Sequence, residues 1–305
     1  MTSNIDVPIP YTPIGAPTVE FVEYNKANFK TVTWKVPESV PYKGKIIYVH
    51  GFAEDSTIYT EFFDNLSQAG YEVFFFDQRG AGETSPGKLV GQTNEFYVFD
   101  DLDFFVKRNL DARTDKSEKF YMLGHSMGGG IVLNYGIRGK YVDDIRGILA
   151  CGPLVQLHDD SKPNIVLRGL QPVINHLLPS FTIDSKLKYD YITSSERYRN
   201  YFVKKDMKLI GSVRQFNDMF VRGEKLLDPK YAALFKNELP LLIIHGTDDH
   251  INDIEASEKF YKLVPNELGN KHLDKIEKAR HSLFIESEEL YTLIFKKVLD
   301  FLNEN

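Results

Sequence analysis

The stretch Phe120-Tyr121-Met122-Leu123-Gly124-His125-Ser126-Met127-Gly128-Gly129-Gly130-Ile131-Val132-Leu133-Asn134-Tyr135 decides the fold. Its first four residues are short, dense and apolar, as a strand buried on both faces is. From Met127 the pattern turns helical and continues to residue 138. Between the two lies Gly124-His125-Ser126-Met127-Gly128, a G-x-S-x-G. A serine lifted onto a sharp strand-to-helix turn sits in strained backbone, and side chains two positions to either side would collide. Glycine at both places removes that collision. Such a turn exposes the Ser126 hydroxyl while the Met127 N–H, at a helix start, points to the same spot. A negative oxygen formed there meets both a donor and the positive helix end.

Working outward, residues 45–49, 71–76, 145–150 and 241–245 are further short apolar runs, and 29–36 alternates as a half-exposed strand does. Helical patterns fall near 59–69, 96–109, 127–138, 254–263 and 289–302. Strand alternating with helix predicts an α/β fold with a mostly parallel central sheet flanked by helices. From about 154 to 239 the alternation stops: helical patterns and Pro/Gly breaks remain, without a buried strand. The expected organisation is therefore a core of 1–153 and 240–305, with 154–239 inserted as a helical cap, or lid, over the strands' carboxyl ends. Within it, 165–178 sets Leu167, Leu170, Val173, Ile174, Leu177 and Leu178 at near-helical spacing around Pro172. One reading is a helix pair packed on the core; the other is a lid whose apolar face meets lipid reversibly.

A serine hydroxyl needs a base to take its proton, and the base needs an orienting acid. In a strand–elbow–helix frame their chain order is serine, acid, histidine. After Ser126, the run 241–245 leads into Gly246-Thr247-Asp248-Asp249, and 273–277 leads into Ala279-Arg280-His281-Ser282. The order is met with His281 as base, while Asp248, Asp249 and Asp253 compete for the acid by spacing alone. The second oxyanion donor is expected from the loop after 45–49, His50-Gly51-Phe52-Ala53-Glu54, through the Phe52 N–H. His50 and His125 read as structural and His245 as a satisfied core histidine. His158, His176, His250 and His272 show no ligand spacing, and without H-E-x-x-H no catalytic metal is expected. Gly128-Gly129-Gly130 lacks the G-x-G-x-x-G register, and Gly80-Ala81-Gly82 lacks the Gly-Lys-Ser/Thr of a phosphate loop.

The chain has 305 residues, 37 basic against 43 acidic, a net charge of −6. That balance argues against nucleic acid as a partner. Cys151 alone cannot build a disulfide framework and fits a reducing compartment as an inert core thiol. The first fifteen residues lack a basic and an apolar region, so they do not read as a secretory signal, and Pro8, Pro10, Pro13 and Pro17 suggest an extended lead-in. No apolar run approaches the ~18 residues of a membrane span.

With these pieces in place, the chain resembles the monoacylglycerol lipases of the serine α/β-hydrolase superfamily, most closely the fungal type. The resemblance runs from about residue 18 to the C-terminus and rests on an ordered set of motifs. These are HGFAE at 50–54, FFFDQRGAGETSPG at 74–87, GHSMGGGIVLNY at 124–135, CGPL at 151–154, HGTDDHIND at 245–253 and ARHSLF at 279–284. It implies Ser126 as nucleophile, His281 as base, Asp249 as acid with Asp248 second, and the Phe52 and Met127 N–H groups as the oxyanion hole. It also implies that Glu54 helps bind the glycerol head. Ile58 stands where animal relatives carry an arginine, and Phe284 where they carry a histidine. The implied activity is hydrolysis of monoacylglycerol to fatty acid and glycerol, without cofactor and without an obligate protein partner. The implied location is cytoplasmic, with peripheral contact of the cap with lipid droplets or membranes. The rivals are an esterase or lysophospholipase acting on another single-chain acyl ester, such as a fatty-acid ethyl ester, and a non-catalytic binding protein of the same fold. The intact serine, acid and histidine speak against the last.

Overall fold

Alternate side chains of the apolar runs leave the backbone on opposite faces, so each run needs cover on both sides. In the computed structural model, which describes residues 7–162 and 165–305 but not the side chains of 165–169, that cover is present. The strands are β1 (Thr18–Tyr24), β2 (Ala27–Trp34), β3 (Gly44–Val49), β4 (Tyr71–Phe76), β5 (Phe120–His125), β6 (Ile145–Cys151), β7 (Thr182–Asp184), β8 (Ile210–Ser212), β9 (Leu241–Gly246) and β10 (Lys271–Ile276). Eight of them form one sheet in the order β1-β2-β4-β3-β5-β6-β9-β10, parallel from β4 to β10. The pairs β1–β2 and β2–β4 are antiparallel.

On one face, Ile46, Tyr48, Val73, Phe75, Tyr121, Leu123 and Ile244 pack with α1 (Thr60–Gln68). On the other, Ile47, Val49, Phe74, Phe76, Met122 and Ile243 pack against α2 (Glu95–Ala112) and α3 (Met127–Arg138). The sides are thus filled by successive residues of the same strands. The predicted strand and helix positions agree with these elements to within a few residues. β1 was not anticipated: Val19 and Phe21 on this edge strand remain exposed, so no buried pattern marks it.

Between β6 and β9 the chain makes a long excursion. It carries α4 (Ile165–Leu177), α5 (Tyr189–Ile192), α6 (Glu196–Lys205), α7 (Val213–Lys225) and α8 (Pro229–Ala232). It also carries a short ribbon, β7 paired with β8, too brief and too exposed at β7 to register as a buried strand. The sheet is then completed around α9 (Ile254–Leu263) and α10 (Glu288–Glu304); Ile294 and Val298 of α10 join the α1 face. In the excursion α4 lies against α7, with Gln171 donating to Asn217 at 3.4 Å. Leu170, Val173, Leu177, Leu178 and Phe181 are exposed there, while the Leu167 side chain lies outside the described residues, as do residues 1–6 at the N-terminus. Among the described residues no helix is long and apolar enough to cross a membrane.

From β3 the chain passes to β4 on one side, and later enters β5 on the other. Loops leaving the carboxyl ends of β3 and β5 therefore diverge, which opens the crevice where ligands bind in such sheets.

Candidate active site

Ser126 follows β5 directly, with φ 53° and ψ −117°. That is a left-handed conformation that L-residues other than glycine rarely adopt. The neighbours explain how it is sustained. A Cβ on Gly124 would stand 2.4 Å from the Gly128 carbonyl oxygen, and one on Gly128 only 2.0 Å from the Val49 carbonyl oxygen. Glycine at 128 thus lets α3 sit against the end of β3, bringing the His50–Glu54 loop beside the serine. The Ser126 N–H donates to the Cys151 carbonyl at 2.9 Å, and the Ser126 carbonyl accepts from Leu154 at 2.8 Å. Met127 is the first residue of α3, so its N–H has no acceptor within the helix.

His281 and Asp249 meet on the loops after β10 and β9. The His281 Nδ1 and Asp249 Oδ2 atoms are 2.8 Å apart and both groups are buried. Asp249 Oδ1 accepts from the Ile251 and Asn252 N–H groups at 2.8 and 2.9 Å. Its Oδ2 also lies 3.1 Å from His245 Nε2. Burial alone would raise the Asp249 pKa, but the charges of His281 and His245 and their hydrogen bonds to it hold it well below the carboxylate range. Burial lowers the His281 pKa against the pull of Asp249, which keeps the imidazole neutral near pH 7. With Nδ1–H given to Asp249, Nε2 is left as the basic nitrogen.

Of the three aspartates that spacing could not separate, Asp248 is exposed. Asp253 caps α9 by accepting from the Glu255 N–H at 2.9 Å. Only Asp249 is bonded to His281. His245, read as a core residue, is fully buried and bonded to Ser257 at 3.0 Å, yet it also touches Asp249, a contact that spacing did not reveal.

The His50–Glu54 loop is tied down on all sides. Gln78 N–H donates to His50 Nε2 at 2.8 Å, and His50 Nδ1 lies 2.7 Å from the Gly51 carbonyl, which fixes one neutral tautomer. Ala53 takes φ 57°, a second strained position beside the serine. Glu54 accepts from the Gly51 N–H at 2.5 Å and from Tyr59 at 2.6 Å, and lies 2.8 Å from His125 Nδ1. Burial opposes both charges, but the pair overcomes it: the Glu54 pKa is lowered and the His125 pKa raised. His125 Nε2 in turn lies 3.2 Å from the His281 carbonyl. His125, read as structural, thus belongs to a buried ion pair between the end of β5 and the His50–Glu54 loop.

A further buried carboxylate, Glu286, carries no mark in the sequence. Its Oε1 accepts from Arg280 N–H at 2.7 Å; its Oε2 accepts from the N–H groups of Ser194 and Ser287, both at 3.0 Å. The Ser282 N–H donates to the Ile192 carbonyl at 2.7 Å and Thr193 Oγ1 to the Ile285 carbonyl at 2.8 Å. Residues 192–194 of the excursion and 280–287 of the core are therefore clasped together. In sequence, Glu286-Ser287-Glu288-Glu289 reads as a solvated helix start, so nothing distinguished the buried member.

Ser126, His281, Phe52 and Glu54 line one cavity of about 450 Å³. Its remaining wall is mostly apolar and comes largely from the excursion: Ile174, Leu209, Val213, Phe216, Met219 and Phe220 are examples. Ile58 lines it near Glu54, whereas Phe284 is buried in the core, stacked on Phe62 at 4.0 Å. Among the described residues one group of His and Asp side chains is close enough to share an ion, His158, Asp160 and His250, and none of the three lines this cavity. A neutral imidazole held by a buried carboxylate, opening with a serine on an apolar cavity, is suited to acyl transfer.

The family model described as serine aminopeptidase, S33, matches residues 41–288. The monoglyceride lipase of Saccharomyces cerevisiae is 37% identical over 98% of this chain and 97% of its own. A putative monoglyceride lipase of Schizosaccharomyces pombe is 34% identical over 88% of this chain and 70% of its own. A crystal structure of a soluble variant of the S. cerevisiae monoglyceride lipase in complex with a substrate analog superposes with a TM-score of 0.92. It covers 97% of this chain and 98% of that one.

Proposed function

Because the chain belongs to the monoglyceride lipase family of serine α/β-hydrolases, we propose that it hydrolyses monoacylglycerol to fatty acid and glycerol, with Ser126, His281 and Asp249 as the triad. The observation that carries the triad is the buried 2.8 Å bond between His281 Nδ1 and Asp249 Oδ2 at the cavity that Ser126 also lines. His281 Nε2 takes the Ser126 proton as Oγ attacks the ester carbonyl, and Asp249 stabilises the imidazolium formed. The tetrahedral oxyanion rests on the Phe52 and Met127 N–H groups. His281 then protonates the departing glycerol oxygen, and water, activated by the same imidazole, releases the acid. No step calls for a cofactor.

The excursion, residues 154–239, serves in this reading as a cap over the core. Its apolar residues make most of the cavity wall, and the volume suits one acyl chain with a small head rather than three chains. Glu54 and the polar groups beside Ser126 mark the end where the glycerol head sits. The outward residues Leu170, Val173, Leu177, Leu178 and Phe181 support peripheral, reversible contact with a lipid surface such as a droplet or membrane.

Fatty-acid release from monoacyl-, diacyl- and triacylglycerol of equal chain length, measured side by side, tests the assignment. A strong monoacyl preference is expected, together with loss of about 10⁴-fold or more on Ser126→Ala. Turnover of a lysophospholipid or a fatty-acid ethyl ester above that of monoacylglycerol would move the reading to a different single-chain esterase. Undiminished turnover by Ser126→Ala would end it altogether.

A further inference from the structure

Sequence spacing offered no metal ligands because the relevant residues are far apart along the chain. Asp160 and His250 are 90 positions from one another, yet His250 Nδ1 lies 2.8 Å from Asp160 Oδ2. His158 Nδ1 is 3.7 Å from the same oxygen. One ligand atom from each of the three lies within 4.8 Å of the others. We propose that His158, Asp160 and His250 form a binding site for a divalent transition-metal ion of the zinc type, stapling the root of the excursion to the loop after β9.

The backbone assembles this trio before any ion arrives. Leu157 and Asn252 form an isolated antiparallel bridge, and the His158 N–H donates to the Ile251 carbonyl at 2.9 Å. Asp160 sits in a 3-10 turn, Asp159–Ser161, which closes with the Ser161 N–H on the His158 carbonyl at 2.9 Å. Ser161 Oγ then donates to the His250 carbonyl at 2.7 Å. The rings of His158 and His250 stand 5.2 Å apart and nearly perpendicular, and Tyr191 stacks on His250 at 5.1 Å. Two segments from different parts of the chain thus present their donors to one point.

The chemistry of the donors selects the ion. Two imidazole nitrogens and one carboxylate oxygen suit zinc and its neighbours, whereas calcium and magnesium require oxygen shells. Ligand bonds of about 2.0–2.2 Å place donors at most about 4 Å apart around one ion, so only a small closure of the side chains is required. They have room for it: side-chain exposures are 34% for His158, 47% for Asp160 and 44% for His250. On binding, the metal replaces the hydrogen bond between His250 Nδ1 and Asp160, and the His250 proton moves to the other ring nitrogen. His158 Nδ1 accepts the Asp160 N–H at 3.2 Å, so it is the nitrogen that carries the lone pair, and it gives up that amide to take the ion while Nε2 keeps the proton. Lys162, the nearby cation, is engaged by Asp159 at 2.5 Å rather than by Asp160. Water fills the remaining positions on the open side, so the site is exchangeable and lies apart from the acyl-transfer chemistry.

The test uses full-length, tag-free protein. Calorimetric titration with ZnCl₂ should give one site per chain, with no comparable heat from Mg²⁺ or Ca²⁺. At a hundredfold excess over Kd the melting midpoint should rise by about 4 °C. His158→Ala and Asp160→Asn should each weaken binding roughly tenfold or more, while melting within a degree or two of the parent in EDTA. His281→Ala should keep the zinc affinity, which separates this site from the catalytic imidazole. The proposal is overturned by the absence of both heat and melting shift in the parent. It is equally overturned if both His158→Ala and Asp160→Asn bind zinc as the parent does, or if His281→Ala alone abolishes binding.

Discussion

Glu54→Gln separates two roles for one carboxylate. Glu54 is buried with bonds to the Gly51 N–H, the Tyr59 hydroxyl and His125, so its charge is neutralised inside the protein rather than by solvent. Removing one partner of a buried pair costs about 3–5 kcal/mol when the other charge is stranded. His125 can shed its proton, which moderates that figure, but the new amide N–H₂ then faces donors it cannot satisfy, a penalty of about 1–3 kcal/mol. A net loss of about 3 kcal/mol follows, or about 5 °C in melting temperature for a chain of this size. The pH dependence has a definite sign. The lowered Glu54 pKa contributes stability above its ordinary value near 4.5, lost as pH falls through the folded value. The raised His125 pKa contributes stability below its ordinary value near 6.5, lost as pH rises through the folded value. The gap between parent and Glu54→Gln should therefore be widest between about pH 4.5 and 6.5 and narrow on both sides. Because Gly51 precedes Phe52, the proposed oxyanion donor, kcat should also fall, by about 10–100-fold, less than the 10²–10³ for outright loss of a donor. Urea denaturation across pH, with kcat and KM on monoacylglycerol, measures all of this. A variant as stable as the parent, with unchanged kcat and a raised KM confined to glyceryl esters, would refute the ion-pair reasoning and leave Glu54 as a head-group contact only.

Other consequences can be checked with single variants or one profile. Since burial lowers the His281 pKa and the neutral ring is the proposed base, kcat/KM should rise with pH through a midpoint below 6.5 and level off by pH 7; a midpoint above 7 contradicts it. Gly128→Ala drives a Cβ to 2.0 Å from the Val49 carbonyl oxygen, where only backbone can yield, so a loss of about 3 kcal/mol or more and little soluble protein are expected. Glu286→Gln loses charge-assisted bonds to backbone donors and should destabilise by about 2 kcal/mol; hydrogen exchange should quicken at 192–194 and 280–287 together, and quickening at one segment alone would refute the shared clasp.

Much of this architecture was legible because it depends on local rules. Both-face burial writes itself as unbroken apolar runs, and the elbow writes itself as two glycines whose missing Cβ atoms the folded backbone requires. Features that depend on distant partners left no such mark. Glu54 and Glu286 look like any surface glutamate until a histidine at the end of β5 and the amides of residues 194, 280 and 287 close around them. The aspartates at 248, 249 and 253 are chemically equal in sequence, and only the path of the loop after β9 turns one inward. β1 escaped notice for the opposite reason: an edge strand with an exposed face needs no apolar pattern to hold its place.

The Glu286 clasp bears on how such enzymes can be re-engineered. A substrate pocket on an independent module could be exchanged for a relative's by cutting at Leu154 and Leu239. Here the exchanged piece would take Ser194 with it and abandon a carboxylate that also fastens Arg280, immediately before His281, the proposed base. A chimera meant to change chain-length selectivity would then lose rate for a reason unrelated to its new pocket, unless residues 189–195 stay with the parent core.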